Sequence, residues 1–150
     1  MEQLNEVLRS GVTLSSPGSV ANHKGDIYRV IKASDPNFLG FGEAYFSFIN
    51  PGEIKGWKLH KRMVLNLTVP VGSVRFVIVY NDGDTVIKPK FDQVILSAEN
   101  YLRLTIPANI WFAFQGMSLK QNLVLNIASI MHDPHESETL CLSNFDFSWV

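Results

Sequence analysis

A succession of short β-rich runs, each closed off by turn residues, constrains this chain more than any other feature. Val, Ile, Leu, Phe, Tyr, Trp and Thr crowd residues 27–31, 43–49, 57–69, 73–81, 93–96, 101–106, 111–115 and 123–130, and most of these residue types suit a pleated, half-buried surface. Between them lie Asn50-Pro51-Gly52, Val71-Gly72, Asn81-Asp82-Gly83-Asp84 and Pro107-Ala108-Asn109, which fix or permit turn dihedrals. The spacing predicts an all-β sandwich or barrel. There is no strand–helix alternation, internal repeat or low-complexity tract, and the glycine signatures of Rossmann and P-loop nucleotide sites are missing. Only residues 2–8 read as helix, with Leu4, Val7 and Leu8 making one apolar face before Gly11 stops it. Pro17, Gly18 and several serines mark 15–24 as a loop. The expected division is therefore 1–24 as helix and loop, then 25–150 as the domain.

At 150 residues the chain has the size of one domain with one core. Thirteen basic and 14 acidic residues leave a net charge of −1, which gives no broad footprint for nucleic acid or an anionic membrane. Cys141 is the only cysteine, so an internal disulfide, a CxxC redox pair and a cysteine zinc site are all excluded. The first residues, MEQLNEVLRSG, lack the basic start and apolar run of a secretory signal. No apolar run approaches the roughly 20 residues that cross a bilayer. These features together predict a cytoplasmic protein.

The chemistry-bearing segment is 57–69. Side chains alternate across a strand, so Lys58, His60, Arg62, Val64 and Asn66 share one face while Trp57, Leu59, Lys61, Met63 and Leu65 share the other. A titratable imidazole between two cations, pointing into a barrel mouth, suits an anionic ligand with an acidic C–H bond. The same alternation also describes the solvated face of an ordinary amphipathic strand. If the cationic face lines a lumen, the face of Trp57, Leu59 and Met63 needs cover from another sheet or subunit, which predicts a homodimer.

Two stretches resemble a known family. PGEIKGWKLHKRMVLNLTVPVGSVRFVIVYND, residues 51–82, is similar to the segment of the dTDP-4-dehydrorhamnose 3,5-epimerases that carries a Gly-Leu-His motif, a strand, a Gly turn and a long hydrophobic strand. LSAENYLRLTIPANIWFAF, residues 96–114, is similar to that family's LS-x-EN … L-x-IP-x-G-F stretch. The resemblance spans about residues 40–134. It implies a cupin-type double-stranded β-helix, or jelly roll, and an isomerase acting on a nucleotide-linked 4-keto sugar in polysaccharide precursor synthesis. His60 falls on the position of the catalytic base, which removes a proton made acidic by the neighbouring ketone. The aspartate that orients this base falls near Asn144 or Asp146, and Asp146 is taken. Lys58, Arg62, Asn66 and Asn126 are the expected substrate contacts.

The chain departs from the family at three positions. Asn66 stands where the family has a lysine, Phe112 where it has a second histidine, and Asn126 where it has the tyrosine that serves as general acid. Tyr45, Tyr80 and Tyr101 are the phenols that could replace that acid. A sugar-nucleotide 3,4-ketoisomerase and a non-catalytic sugar-nucleotide binder remain alternatives. Many cupins hold a metal on an HxH pair, but the run here is His60-Lys61-Arg62, and two cations beside one imidazole repel a divalent ion. Neither a metal nor another cofactor is expected. His132 and His135, in His132-Asp133-Pro134-His135-Glu136, sit in a Pro-containing polar segment that reads as a solvated loop.

Overall fold

A computed structural model describes residues 5–83 and 88–150. The strands are β1 (Asn5–Val7), β2 (Thr13–Ser15), β3 (Ser19–Val20), β4 (Ile27–Tyr28), β5 (Glu43–Ile49), β6 (Ile54–His60) and β7 (Leu65–Val71). They continue with β8 (Ser73–Tyr80), β9 (Lys90–Ser97), β10 (Arg103–Ile106), β11 (Phe112–Gly116), β12 (Asn122–Ala128) and β13 (Ser137–Thr139). Six form one sheet in the order β1-β2-β10-β7-β12-β5, and five form a second in the order β13-β6-β11-β8-β9. The all-β cupin-type jelly roll expected from the sequence is the observed architecture.

The core lies between the sheets because each strand turns alternate apolar residues inward. Leu65, Leu67 and Val69 of β7, Leu104 and Ile106 of β10 and Val124 of β12 meet Val74, Phe76 and Ile78 of β8 and Leu96 of β9. A second apolar layer covers the outer face of the five-stranded sheet. There Trp57 and Val77 are buried beneath Leu140, Leu142, Phe145, Phe147 and Trp149 of the C-terminal segment, and Trp57 Nε1 donates to the Leu142 carbonyl at 3.1 Å. The apolar face expected to be covered by a second subunit is thus covered by the chain's own C-terminus.

Two local expectations give way to tertiary pairing. The N-terminal helix is absent: Asn5–Val7 pairs antiparallel with Thr13–Ser15, and residues 1–4 lie outside the described part. A seven-residue helix is marginal by itself, whereas this hairpin joins the six-stranded sheet through β10 and sends Val12 and Leu14 into the core. The stretch expected as a helix and loop ahead of the domain therefore includes two strands of its sheet. The expected single strand at 57–69 is also two strands in different sheets, broken at 61–64. Met63 consequently enters the inter-sheet core and does not share Trp57's outer layer.

Candidate active site

A cleft of about 260 Å³ opens between the two sheets. β6 contributes Lys55, Lys58 and His60 from the five-stranded sheet. β5 and β12 contribute Tyr45, Ser47 and Asn126 from the six-stranded sheet. Leu65, Leu67, Phe112, Phe114 and Val124 supply apolar lining. The cleft thus combines a dry wall with a few convergent polar groups, the composition of small-ligand sites.

Strict alternation would set Lys55 and Lys58 on opposite faces, yet both line the cleft. The pairing of β11 with β6 explains this, because Phe112 faces Lys58 and the next residue, Ala113, faces Gly56, so that Trp57 is skipped as a β-bulge. Gly56 has φ +143°, and a Cβ there would stand 2.4 Å from that of Ala113, so glycine is required. The bulge sends Trp57 outward and leaves both lysines inward. Lys55 Nζ is held by the Phe48 carbonyl at 2.6 Å and by Ser47 Oγ at 3.1 Å.

His60 is buried, and its Nδ1 bonds Glu136 Oε1. β13 makes this contact by pairing antiparallel with β6, Ser137 opposite His60, while the Lys61 N–H donates to the Glu136 carbonyl at 2.7 Å. The other carboxylate oxygen, Oε2, accepts the N–H groups of Arg62 and Met63, each at 3.1 Å. Burial pushes the Glu136 carboxyl up, but the His60 hydrogen bond and the two backbone N–H bonds outweigh it and hold the pKa below its ordinary value. An ionised carboxylate only accepts hydrogen bonds, so Nδ1 carries a proton, and in the neutral imidazole Nε2 keeps its lone pair. Phe112 lies near-parallel to the imidazole, with ring centroids 6.4 Å apart.

Of the residues expected from the sequence, His60, Lys58 and Asn126 meet in the cleft and three others do not. Asp146 is exposed in the C-terminal segment and does not line the cleft; Glu136 is the carboxylate on His60. Arg62 lies beyond the end of β6, its side chain 63% exposed and paired with Asp133 at 3.2 Å, because the strand ends before alternation can turn it inward. Asn66 is buried on the far face of β7, where its Nδ2 donates to the Asn37 carbonyl at 3.0 Å and its Oδ1 accepts from Thr105 Oγ1 at 2.7 Å. The segment read as a solvated loop keeps His132 and His135 exposed but buries Glu136. Among the described residues no group of three His, Cys, Asp or Glu side chains is placed to hold a metal ion.

A solved dTDP sugar isomerase from Desulfovibrio desulfuricans G20 is 31% identical, with a TM-score of 0.84 over 93% of this chain and 90% of that one. The chain belongs to the dTDP-sugar isomerases. The dTDP-4-dehydrorhamnose 3,5-epimerase from Sulfolobus tokodaii shares the fold at TM-score 0.82 and 22% identity, over 98% of this chain and 86% of that one. A dTDP-6-deoxy-D-glucose-3,5-epimerase from Legionella pneumophila, solved with dTDP-4-keto-L-rhamnose, shares it at TM-score 0.77 and 19% identity, over 94% and 78%. No protein-family model matches the chain, and no curated protein matches it.

Proposed function

We propose that this protein is an isomerase of nucleotide-linked 4-keto sugars that works by proton abstraction beside the ketone. The observation that carries this reading is the His60–Glu136 pair, buried in the wall of a largely apolar cleft. His60 Nε2 removes a proton from the carbon next to the carbonyl, and the electron pair moves into the enolate. Glu136 fixes the tautomer and stabilises the imidazolium that forms. Lys55 and Lys58 place positive charge in the same cleft for the diphosphate or the enolate oxygen. A module that only bound a sugar nucleotide would have no use for an ionised carboxylate buried behind a histidine. This favours turnover over the non-catalytic alternative.

The test is exchange of substrate hydrogen for deuterium in deuterated water, followed by mass spectrometry or NMR on a dTDP-linked 4-keto-6-deoxy sugar. Wild type is expected to exchange. His60→Asn keeps bulk and hydrogen bonding without a basic nitrogen, so exchange is expected to fall at least about 10²-fold while binding persists. Exchange by His60→Asn at the wild-type rate would place the base elsewhere.

The protein is also proposed to act as a homodimer. Support comes from the outer face of the six-stranded sheet, where Phe46 and Phe48 of β5 are 62% and 55% exposed. Phe46 stands opposite Leu125 and Phe48 opposite Leu123 of β12. Leu39, Phe41 and Met131 are exposed as well. An apolar face of this kind on a soluble domain marks an interaction surface.

A further inference from the structure

The geometry points to Tyr45 as the group that returns a proton to the substrate, on the face opposite His60, with Asn126 as its positioning residue. This rests on the proposed isomerase function and supplies its missing half, because inverting a carbon requires removing a proton from one face and adding one to the other. Asn126 has no proton to give as an acid. Tyr45 stands directly opposite it across the β5–β12 ladder, and Asn126 Nδ2 donates to the Tyr45 hydroxyl at 2.9 Å.

Three observations single out this phenol. Of the three tyrosines considered, only Tyr45 lines the cleft; the Tyr101 hydroxyl instead donates to the Arg29 carbonyl at 2.9 Å. Tyr45 and His60 project from different sheets into one space, so a planar enolate held between the sheets presents one face to each. Asn126 is 2% exposed, and its Oδ1 has no partner among the described residues, so the amide is held for what occupies the cleft. Because the Tyr45 oxygen accepts from Asn126, its own proton is not spent on that bond. The N–H stays in place as charge develops on the oxygen.

The step balances as follows. The substrate C–H bond breaks and its proton joins His60 Nε2, while the electron pair forms the enolate. The Tyr45 O–H bond then breaks, its proton bonds to the same carbon from the other face, and the carbonyl re-forms. Tyr45 is 42% exposed, so the phenolate recovers a proton from water at the cleft mouth, and His60 releases its proton to solvent. A base and acid on opposite walls invert the carbon, whereas a 3,4-ketoisomerase that shuttled one proton on one face would need only His60.

Tyr45→Phe removes one oxygen from a part-exposed ring and separates two readouts, hydrogen exchange and inversion, for a dTDP-linked 4-keto-6-deoxy sugar in deuterated water. In this variant His60 still removes the proton and returns deuterium to the same face. Exchange is therefore expected to continue while the inverted product falls at least about 10²-fold. Asn126→Ala should lower inversion more than exchange. His60→Asn should lose both. If Tyr45→Phe inverts as fast as wild type while wild type exchanges and His60→Asn does not, the Tyr45 assignment is overturned and the isomerase reading stands. If wild type neither exchanges nor inverts, both are overturned together.

Discussion

Glu136 acts on the cleft only through His60, and this separates its effects from those of a substrate contact. Glu136→Gln keeps the size but no longer demands a proton on Nδ1, so the productive tautomer is lost. The expected outcome is a kcat lowered by about 10²-fold or more with KM little changed, checked by steady-state kinetics on the dTDP-linked keto sugar. The same substitution has a pH signature. A carboxyl whose folded pKa lies below its ordinary value of about 4.5 stabilises the fold above that value, and the contribution disappears as pH falls through the folded pKa. Urea midpoints of wild type and Glu136→Gln should therefore differ at pH 7 and converge in acid below about pH 4.5. A gap that stayed constant across that range would mean the carboxylate charge is not what stabilises the site. His60 was legible because a short alternating strand carries it within a recognisable motif. Glu136 was not, because it lies 76 residues away in a polar Pro-containing segment, and a three-residue strand is too short to show a period.

At the scale of elements, alternation assigns faces where a strand runs unbroken, as on β5, where Tyr45 and Ser47 line the cleft while Phe46 and Phe48 are exposed. Residues 43–49 were read as a strand and form one. At and just ahead of 57–69 the same rule fails twice. The bulge at Trp57 brings Lys55 to the side of Lys58, and the break after His60 passes the chain to the other sheet and strands Arg62 outside. A bulge is a property of the paired strands, so one strand's sequence shows at most an unexplained glycine. Gly56→Ala tests this one. Its Cβ would come within 2.7 Å of the Ala113 Cα, and the clash with neighbouring backbone should cost about 1–3 kcal/mol. Denaturant unfolding measures that cost, and weaker nucleotide-sugar binding should accompany it as Lys55 is displaced. Trp57→Ala tests the C-terminal cover: Trp57 is fully buried and packs against Phe145 and Trp149 at centroid distances of 5.1 and 5.5 Å. Deleting a ring so enclosed should cost about 3–5 kcal/mol, read from the same unfolding experiment, and a cost under about 1 kcal/mol would show that the tail does not seal that face.

For the whole molecule, the jelly roll was legible because turn residues punctuate nearly every strand, whereas the surface left for a partner depended on what the chain covers with itself. The sequence pointed to the Trp57 face, and the C-terminal segment takes that face. What stays open is the outside of the six-stranded sheet, where Phe46 and Phe48 lie opposite half-buried Leu125 and Leu123. Tyr45 and Ser47, on the same strand, line the cleft, so an interface there would lie directly behind one wall of the site. Phe46→Glu with Phe48→Glu places two charges on outward positions of an edge strand, where they are solvated in a single chain but desolvated between two. Sedimentation velocity at micromolar concentration should find wild type at twice the chain mass and the double variant at the mass of one chain. The six-stranded sheet's inner face is untouched, so the variant should keep its fold by circular dichroism. Wild type sedimenting as one chain, or a double variant that still pairs, would exclude this face as the dimer interface.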